Sequence, residues 1–212
     1  MKKLILIMFM MVSTVYANDI YITQSGATLD LDITQDGQNN TIGSSTTSSS
    51  IIGATTNFDI RQVGNSNVIT FDVNGANYTG TWAITGNSNN IDFKCDSGGS
   101  NSSCGTATAN ITWTGSSQDI DLDIGETSAA GSATVNITGA SGSDSNVVAA
   151  TIDGTSAILT LSVNGDTNNY LIDIDGNGDI NGHTLIHSHT GGIADVDITQ
   201  SGINDQMINL TT

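Results

Sequence analysis

Glycine recurs every eleven residues along most of this chain, and this period constrains the fold more than any other feature. The glycines fall at positions 26 and 37, then 64, 75 and 86, then 154, 165 and 176, and finally 191 and 202. Between them, apolar and polar residues alternate, as in DIDLDI at 119–124. Alternation with a period of two, interrupted regularly by glycine and asparagine, predicts short half-buried strands joined by tight turns.

Two eleven-residue halves form a unit of about 22 residues with two strands and two turns. One unit cannot bury its own apolar face, so units must stack, each strand about 4.7–4.9 Å from the last. Helices are not expected, because glycine and β-branched residues are frequent and no apolar stripe has helical spacing. The chain has no proline, which suits backbone N–H groups that donate within sheets. The sequence predicts an all-β fold, a β-solenoid of stacked strand-turn-strand repeats.

Four segments interrupt the repeat and are predicted to be insertions. They span residues 44–56, 96–103, 126–146 and 177–190. Cys95 and Cys104, the only two cysteines of the chain, bracket the second segment. In an exported protein this spacing predicts a local disulfide. A metal or redox pair is the competing interpretation, but it would need further cysteine ligands or a helix that lowers a thiol pKa.

The N-terminal segment MKKLILIMFMMVSTVYA at 1–17 is typical of a secretory signal peptide. It begins with Lys2 and Lys3, continues with an apolar run too short to span a bilayer, and ends in a small-residue cleavage site. Residues 18–212 form the predicted solenoid domain. We expect this mature chain to be secreted, with no segment inserted in a membrane.

The chain is strongly acidic, with a formal net charge of −17. Removal of the predicted signal peptide leaves Arg61 and Lys94 as the only lysine or arginine residues, against 21 acidic residues. Nucleic acid is therefore not expected as a partner, because its binding depends on lysine and arginine that neutralise phosphates.

The turns carry a more specific signature, Gln-x-Gly-x-x-Asn. It is complete in QDGQNN at 35–40 and in QVGNSN at 62–67. With their flanking strands, as in FDIRQVGNSNVITFDV at 58–73, these segments resemble the repeats of curlin, the subunit of bacterial curli amyloid fibres. The resemblance is strongest over residues 18–95 and 191–212.

The resemblance implies a structural role for each residue of the motif. In curlin repeats, the glutamine and asparagine point inward and form amide ladders along the fibre, and the glycine forms the turn. The matching residues are Gln24, Gln35, Gln62 and Gln200, the glycines Gly26, Gly37, Gly64 and Gly202, and the asparagines Asn40 and Asn67.

The middle of the chain departs from the curlin pattern. Ile84, Trp113, Ile137, Val163 and Ile174 stand where the family has glutamine. We therefore expect an apolar core in the central repeats, where a continuous amide ladder is not predicted.

One segment begins as a calcium-binding loop does. Oxygen ligands occupy alternate positions, at Asp173, Asp175, Asn177 and Asp179. Thr184 replaces the bidentate glutamate that an EF-hand needs, and no helix is expected on either side. The alternative is that the two aspartates of the strand are solvent-facing neighbours of core residues.

The three histidines, His183, His187 and His189, fall close together. His187 and His189 would share one face of a strand and could bind zinc or copper, but no carboxylate or cysteine lies at an obvious ligand spacing. We interpret them as polar residues of an irregular repeat. Trp82 and Phe93 occupy core positions, where packing explains them better than a sugar-stacking platform does.

We do not expect an enzyme, because the sequence contains no recognisable nucleophile, base and acid set. The resemblance to curlin implies a secreted structural subunit or nucleator of extracellular amyloid or pilus-like fibres, which serve cell adhesion and the biofilm matrix. It also implies self-association, other curlin-type subunits and a dedicated secretion pore as partners.

Two alternatives remain open. One is a monomeric, calcium-stabilised β-solenoid adhesin or surface-binding module, whose end repeats should be polar and irregular. The end repeats of this chain are instead its most regular ones. The other is an ice- or glycan-binding solenoid, which needs a long flat threonine array or an exposed aromatic row. The sequence shows only short pieces, such as Thr106-Ala107-Thr108.

Overall fold

A computed structural model describes residues 19–37, 40–43, 49–95, 104–125, 131–175, 182–202 and 206–212. The predicted all-β solenoid is confirmed. Among the residues described, no helix is long and apolar enough to cross a membrane. The strands are β1 (Asp19–Ile20), β2 (Thr23–Asp36), β3 (Thr41–Ile42), β4 (Ser49–Val63), β5 (Val68–Thr85), β6 (Asn90–Cys95), β7 (Thr106–Thr114), β8 (Asp119–Ile124), β9 (Ser132–Gly139), β10 (Val147–Asp153), β11 (Ala157–Asn164), β12 (Asn168–Asp175), β13 (His183–Thr190), β14 (Ala194–Gln200) and β15 (Gln206–Thr211).

The strands form two walls of parallel pairs that enclose the core. Strand β5 joins the walls, because its residues 68–73 pair with β6 and its residues 77–85 pair with β7. We call the first wall A and the second wall B. Wall A contains β1, β3, β6, β8, β10, β12 and β14, with residues 23–26 of β2, 49–53 of β4 and 68–73 of β5. Wall B contains β7, β9, β11, β13 and β15, with residues 28–36 of β2, 55–63 of β4 and 77–85 of β5.

Pairing within each wall stays in register although the repeat length varies. Val68 pairs with Asn90, 22 residues later, whereas Asn90 pairs with Asp119, 29 residues later. The extra residues therefore leave the walls unchanged. Register is preserved because a slip of one residue would turn every apolar side chain of a strand towards solvent.

Three of the four predicted insertions are shorter than the sequence predicted. Strand β4 begins within the predicted insertion 44–56, β9 lies within 126–146, and β13 lies within 177–190. These strands alternate buried and exposed residues as the other wall strands do. Their many serine and threonine residues hid this alternation in the sequence. The segments 44–48, 96–103, 126–130 and 176–181 lie outside the described residues.

Aromatic side chains from the two walls meet in the core. Phe58 of wall B stacks on Phe71 of wall A with ring centroids 4.1 Å apart. Trp82 of wall B meets Phe93 of wall A edge to face at 5.2 Å. Burial of both residues confirms the predicted core packing.

The walls are joined by two kinds of corner. The asparagine corner leads from a strand of wall B to the next strand of wall A through a turn such as Gly64-Asn65-Ser66-Asn67. The passage from wall A to wall B within one layer is a bend inside β2, β4 and β5. In other layers it is a break between strands, such as the break between β6 and β7, which we call an insertion corner. Cys95 and Cys104 form a disulfide at an insertion corner, with Cα atoms 5.7 Å apart.

Candidate functional site

An inward column of amides runs through the asparagine corner. We call it the asparagine column. The Oδ1 atom of Asn67 accepts a hydrogen bond from the backbone N–H of Asn40 at 2.9 Å, and Asn89 Oδ1 accepts one from Asn67 N–H at 2.8 Å. Further along, Asn146 Oδ1 accepts a hydrogen bond from the Gln118 N–H at 2.8 Å, and Asn168 Oδ1 accepts one from the Asn146 N–H at 2.9 Å. The column consists of Asn40, Asn67, Asn89, Gln118, Asn146 and Asn168.

The amide nitrogens of this column close each turn from within. Asn67 Nδ2 donates to the carbonyl of Gly64 at 3.1 Å, and Asn146 Nδ2 donates to that of Ser143 at 2.6 Å. Gln118 reaches further, to the carbonyl of Gly86 in the preceding layer at 2.8 Å. Each side chain therefore satisfies backbone groups that the strand ladders leave unpaired.

Sequence reasoning missed Gln118 and Asn146 as members of this column. Serine replaces the turn glycine in SDSN at 143–146, and glutamine replaces asparagine in GSSQ at 115–118. The sequence did contain a signal that could have identified both residues, namely a serine or threonine immediately before the amide. Five turns have such a residue, and in each turn the structure gives it a left-handed φ. These residues are Ser66, Ser88, Ser117, Ser145 and Thr167.

The predicted glutamine ladder of wall B contains a single step. Gln62 Nε2 donates to Gln35 Oε1 at 2.6 Å, and both side chains are buried. In the next layer Ile84 lies above Gln62, followed by Trp113. This glutamine column consists of Gln35, Gln62, Ile84, Trp113, Gly139, Val163 and His189.

One assignment within the predicted ladder is wrong. Ile137 does not replace a glutamine, because Ile137 pairs with Ile111 and Gly139 follows Trp113 in the column. A Cβ atom at Gly139 would lie 2.6 Å from Trp113 Cζ2, so glycine makes room for the indole.

Gly26 also differs from the other motif glycines. It lies within β2 at the bend between the walls, where it pairs with Gly53, and it takes no part in an asparagine corner. Gly37, Gly64 and Gly202 follow strands of β-sheet with φ values of 140°, 150° and 159°.

Gln24 and Gln200 belong to a different column, in wall A. Gln24 pairs with Ile51 at one end of the solenoid, and Gln200 pairs with Ile174 at the other. The intervening members are Ile51, Val73, Cys95, Ile124, Ile152 and Ile174. Neither amide atom of Gln200 makes a hydrogen bond within the described part of the chain, although both are shielded from solvent.

The histidines are core residues near the C-terminal end. His187 packs edge to face on Tyr170 of wall A at 4.6 Å, and Tyr170 Oη lies 3.1 Å from His189 Nδ1. His183 Nδ1 accepts a hydrogen bond from the backbone N–H of Ala157 at 3.2 Å. Burial, and secondarily the neighbouring His189, lowers the pKa of His187 to about 4. The neutral imidazole is thus strongly favoured.

The structure shows no metal centre in the residues it describes, since these contain no group of three or more ligating side chains. Asp173 and Asp175 of the predicted calcium loop are exposed residues of β12, and Asp175 Oδ1 accepts a hydrogen bond from Ser201 Oγ. Asn177 and Asp179 lie outside the described residues.

Both ends of the solenoid present strand edges and inward-facing apolar residues without a covering layer. In the described structure β2 pairs only with β4, β14 only with β12, and β15 only with β13. Ile208 is 47% exposed and Leu210 is 51% exposed, whereas Leu185, one layer inside, is fully buried.

The outer faces of the two walls differ in charge. Wall A presents Asp72, Asp92, Asp121 and Asp123, with Lys94 Nζ 4.0 Å from Asp123 Oδ2. Burial raises the pKa of Asp92; Lys94 opposes this rise and Asp72 adds to it. Wall B presents threonine, asparagine and serine over most of its length.

Comparisons with known proteins add no assignment. No family model matches the sequence, and no curated protein and no solved structure gives a significant match.

Proposed function

We propose that this protein is a secreted, curlin-like structural subunit or nucleator that assembles head to tail into extracellular fibres for adhesion and biofilm matrix. The observation that carries the proposal is the pair of open ends. Exposed edge strands with apolar inward side chains recruit another chain unless something covers them.

The two ends are chemically complementary in continued register. If the N-terminal layer of one copy stacks on the C-terminal layer of another, Gln24 meets Gln200, because both belong to one column. Leu210 would meet Ile33, because these two residues are the last and the first members of one column in wall B. That column consists of Ile33, Ile60, Trp82, Ile111, Ile137, Leu161, His187 and Leu210. The contact would thus give an amide partner to Gln200 and would bury Leu210.

The acidic outer face of wall A also fits end-to-end growth. Like charges on neighbouring subunits oppose contact through wall A, and screening by salt reduces this repulsion. When subunits stack at their ends, the acidic faces lie side by side along one edge of the fibre and do not form the contact between subunits.

Fibre assembly can be tested with the chain from residue 18 to 212, followed by thioflavin T fluorescence and electron microscopy. We expect fibres from the unchanged chain and a strong reduction with Ile208→Lys, which places a charge on the end layer. Ile158→Lys is the matched control, because Ile158 is 40% exposed on the outer face of wall B, away from both ends. A chain that stays monomeric at high concentration in moderate salt contradicts the proposal, as does an equal loss in both variants.

A further inference from the structure

The outer face of wall B is uncharged from residues 77–85 of β5 through β13. We call this surface the threonine face. Every side chain on it is exposed or half-buried. Its members are Asn77, Thr79, Thr81, Ala83, Thr85, Thr106, Thr108, Asn110, Thr112, Thr114, Ser132, Thr134, Asn136, Thr138, Ile158, Thr160, Ser162, Asn164, Thr184, Ile186, Ser188 and Thr190.

The pairing register turns short sequence pieces into a two-dimensional array. Thr79 pairs with Thr108, and Thr108 with Thr134, while Thr112 pairs with Thr138. The spacing is about 4.7–4.9 Å between strands and about 6.5–7 Å between alternate residues of one strand. A hydrogen bond of 2.9 Å from Asn136 Nδ2 to Asn110 Oδ1 links neighbouring strands on this face. Threonine therefore recurs along and across the wall, with asparagine, serine, Ile158 and Ile186 between the threonines of the later strands.

Such an array suits ordered water better than it suits a dissolved ligand. Each threonine presents a methyl group that orders its first water shell and a hydroxyl group that can donate and accept hydrogen bonds. Only the Thr112 hydroxyl has a protein acceptor, the carbonyl of Trp82 at 3.3 Å, among the hydrogen bonds described on this face. The β-branched side chain is stiff at χ1, so these groups are held in fixed positions. Repeated across the wall, they offer water a lattice of anchoring points.

Other occupants fit the threonine face less well. Among its residues there is no aromatic side chain on which a sugar could stack. A second protein copy would find little apolar area, since only Ala83, Ile158 and Ile186 are apolar. Specific protein interfaces usually have an apolar core with aromatic anchors. Charged polymers are disfavoured because the face carries no charge.

We propose that the threonine face binds the surface of ice, whose water molecules form a repeating lattice. This inference goes beyond fibre assembly and does not depend on it, because the face lies on the side of the solenoid and not at its ends. The register joins the short threonine pieces of the sequence into one uncharged surface on five neighbouring strands, where 12 of the 22 outward residues are threonine.

The test measures incorporation of the labelled monomeric chain, residues 18–212, into a slowly growing ice hemisphere, together with inhibition of ice recrystallisation. Thr138→Tyr and Thr114→Tyr place a bulky ring on the threonine face, and tyrosine keeps a high β propensity. Thr151→Tyr is the matched control, an exposed position on the outer face of wall A. Circular dichroism and thermal melting verify the fold of each variant.

We expect the unchanged chain and Thr151→Tyr to enter ice equally, and both face variants to enter at least tenfold less. Exclusion of the unchanged chain from ice overturns the proposal. An equal loss with Thr151→Tyr also overturns it, since the effect would not map to wall B. Sedimentation with insoluble polysaccharide and analytical ultracentrifugation complete the test. If the unchanged chain does not enter ice, the proposal is overturned, and these two measurements identify the other occupant. Binding to polysaccharide would assign the face to a glycan, and dimerisation that Thr138→Tyr abolishes would assign it to a second copy of the chain.

Discussion

The glutamine column and the asparagine column run through the same layers. Along the glutamine column the side chains change from amide to apolar, whereas along the asparagine column they remain amides. The glutamine column has amides in two neighbouring layers, at Gln35 and Gln62, and then changes to Ile84 and Trp113. The asparagine column has an amide in every described layer from Asn40 to Asn168. The two columns are therefore under different physical requirements.

The difference follows from what each side chain does for the backbone. In wall B the strand ladders already pair the backbone, so a side chain of the glutamine column mainly fills space and satisfies its own polar atoms. Gln35 Nε2 reaches the backbone through a long hydrogen bond of 3.4 Å to the carbonyl of Thr41. In the asparagine corner the turn leaves N–H groups without a strand partner, and the amide oxygen accepts from them, as Asn146 does for Gln118. A buried polar group without a partner costs about 1–3 kcal/mol, which explains why the corner keeps its amides.

The largest effect is expected at the glycine that begins a corner. Gly86 has a φ of 135°, and a Cβ atom there would collide with the carbonyl oxygen of Gly64. Gly86→Ala should reduce the free energy of unfolding by about 3–5 kcal/mol, because backbone strain adds to the clash. Urea denaturation monitored by circular dichroism measures the change.

Gly26→Ala is the control for that substitution. Gly26 lies at the bend between the walls, where an added Cβ atom would meet only Gln24 Nε2, at 3.4 Å. We expect a loss below about 1 kcal/mol. Similar losses in the two variants would show that the corner geometry is not special.

A smaller loss is expected when the corner amide is removed. Asn146→Ala deprives the Gln118 N–H of its acceptor and the Ser143 carbonyl of its donor. The free energy of unfolding should fall by about 2–4 kcal/mol, because two buried backbone groups lose partners. Asn164→Ala, at an exposed asparagine of β11, should change it by less than about 0.5 kcal/mol. The idea of an essential corner amide fails if the two substitutions cost the same.

The sequence predicted the walls better than the corners. Alternation identified the inward residues of strands such as β8, because period-two burial leaves a direct trace in the sequence. It did not identify Asn146 as a ladder residue, because serine had replaced the glycine of its turn. Ile137 was also placed in the glutamine column, where the structure has Gly139, since register across an irregular corner depends on loop length that pattern alone does not fix.

The outer faces show the same limit. Each strand of wall B reads only as a few alternating threonines, and the array emerges when Thr79, Thr108 and Thr134 are brought into one column. The column depends on offsets of 29 and 26 residues between these positions. Unequal offsets hide the array from a search for a fixed period.

The glutamine column should tolerate a complete change to apolar residues. Gln62→Leu alone should cost about 1–2 kcal/mol, because Gln35 Oε1 loses the donor at 2.6 Å. The double variant Gln35→Leu/Gln62→Leu should cost no more than Gln62→Leu alone, since both amide partners leave together and the hydrogen bond from Gln35 Nε2 to the Thr41 carbonyl is a long one, at 3.4 Å. A double-mutant cycle in urea measures the coupling. Additive losses in the double variant would contradict the view that this column mainly fills space.

At neutral pH the smallest effect is expected at His187, which lies next to His189 in wall B and faces Tyr170 of wall A. Its pKa of about 4 lies below the usual 6.5, so the unfolded chain binds its proton more readily than the folded chain. This group therefore lowers stability as pH falls from about 6.5 to about 4, and it has no further effect below that window. Above about pH 6.5 its contribution to stability is constant.

His187→Leu isolates this contribution, because the carboxylates titrate alike in both chains and cancel in the difference. The variant should be at least as stable as the unchanged chain at pH 7.5, since neither ring nitrogen of His187 has a hydrogen-bond partner among the described residues. Its stability advantage should then grow as pH falls towards 4, measured as the difference between the urea midpoints. A difference that stays constant over this range would mean that His187 titrates alike in the folded and unfolded chains, and that the wall core does not exclude its charge.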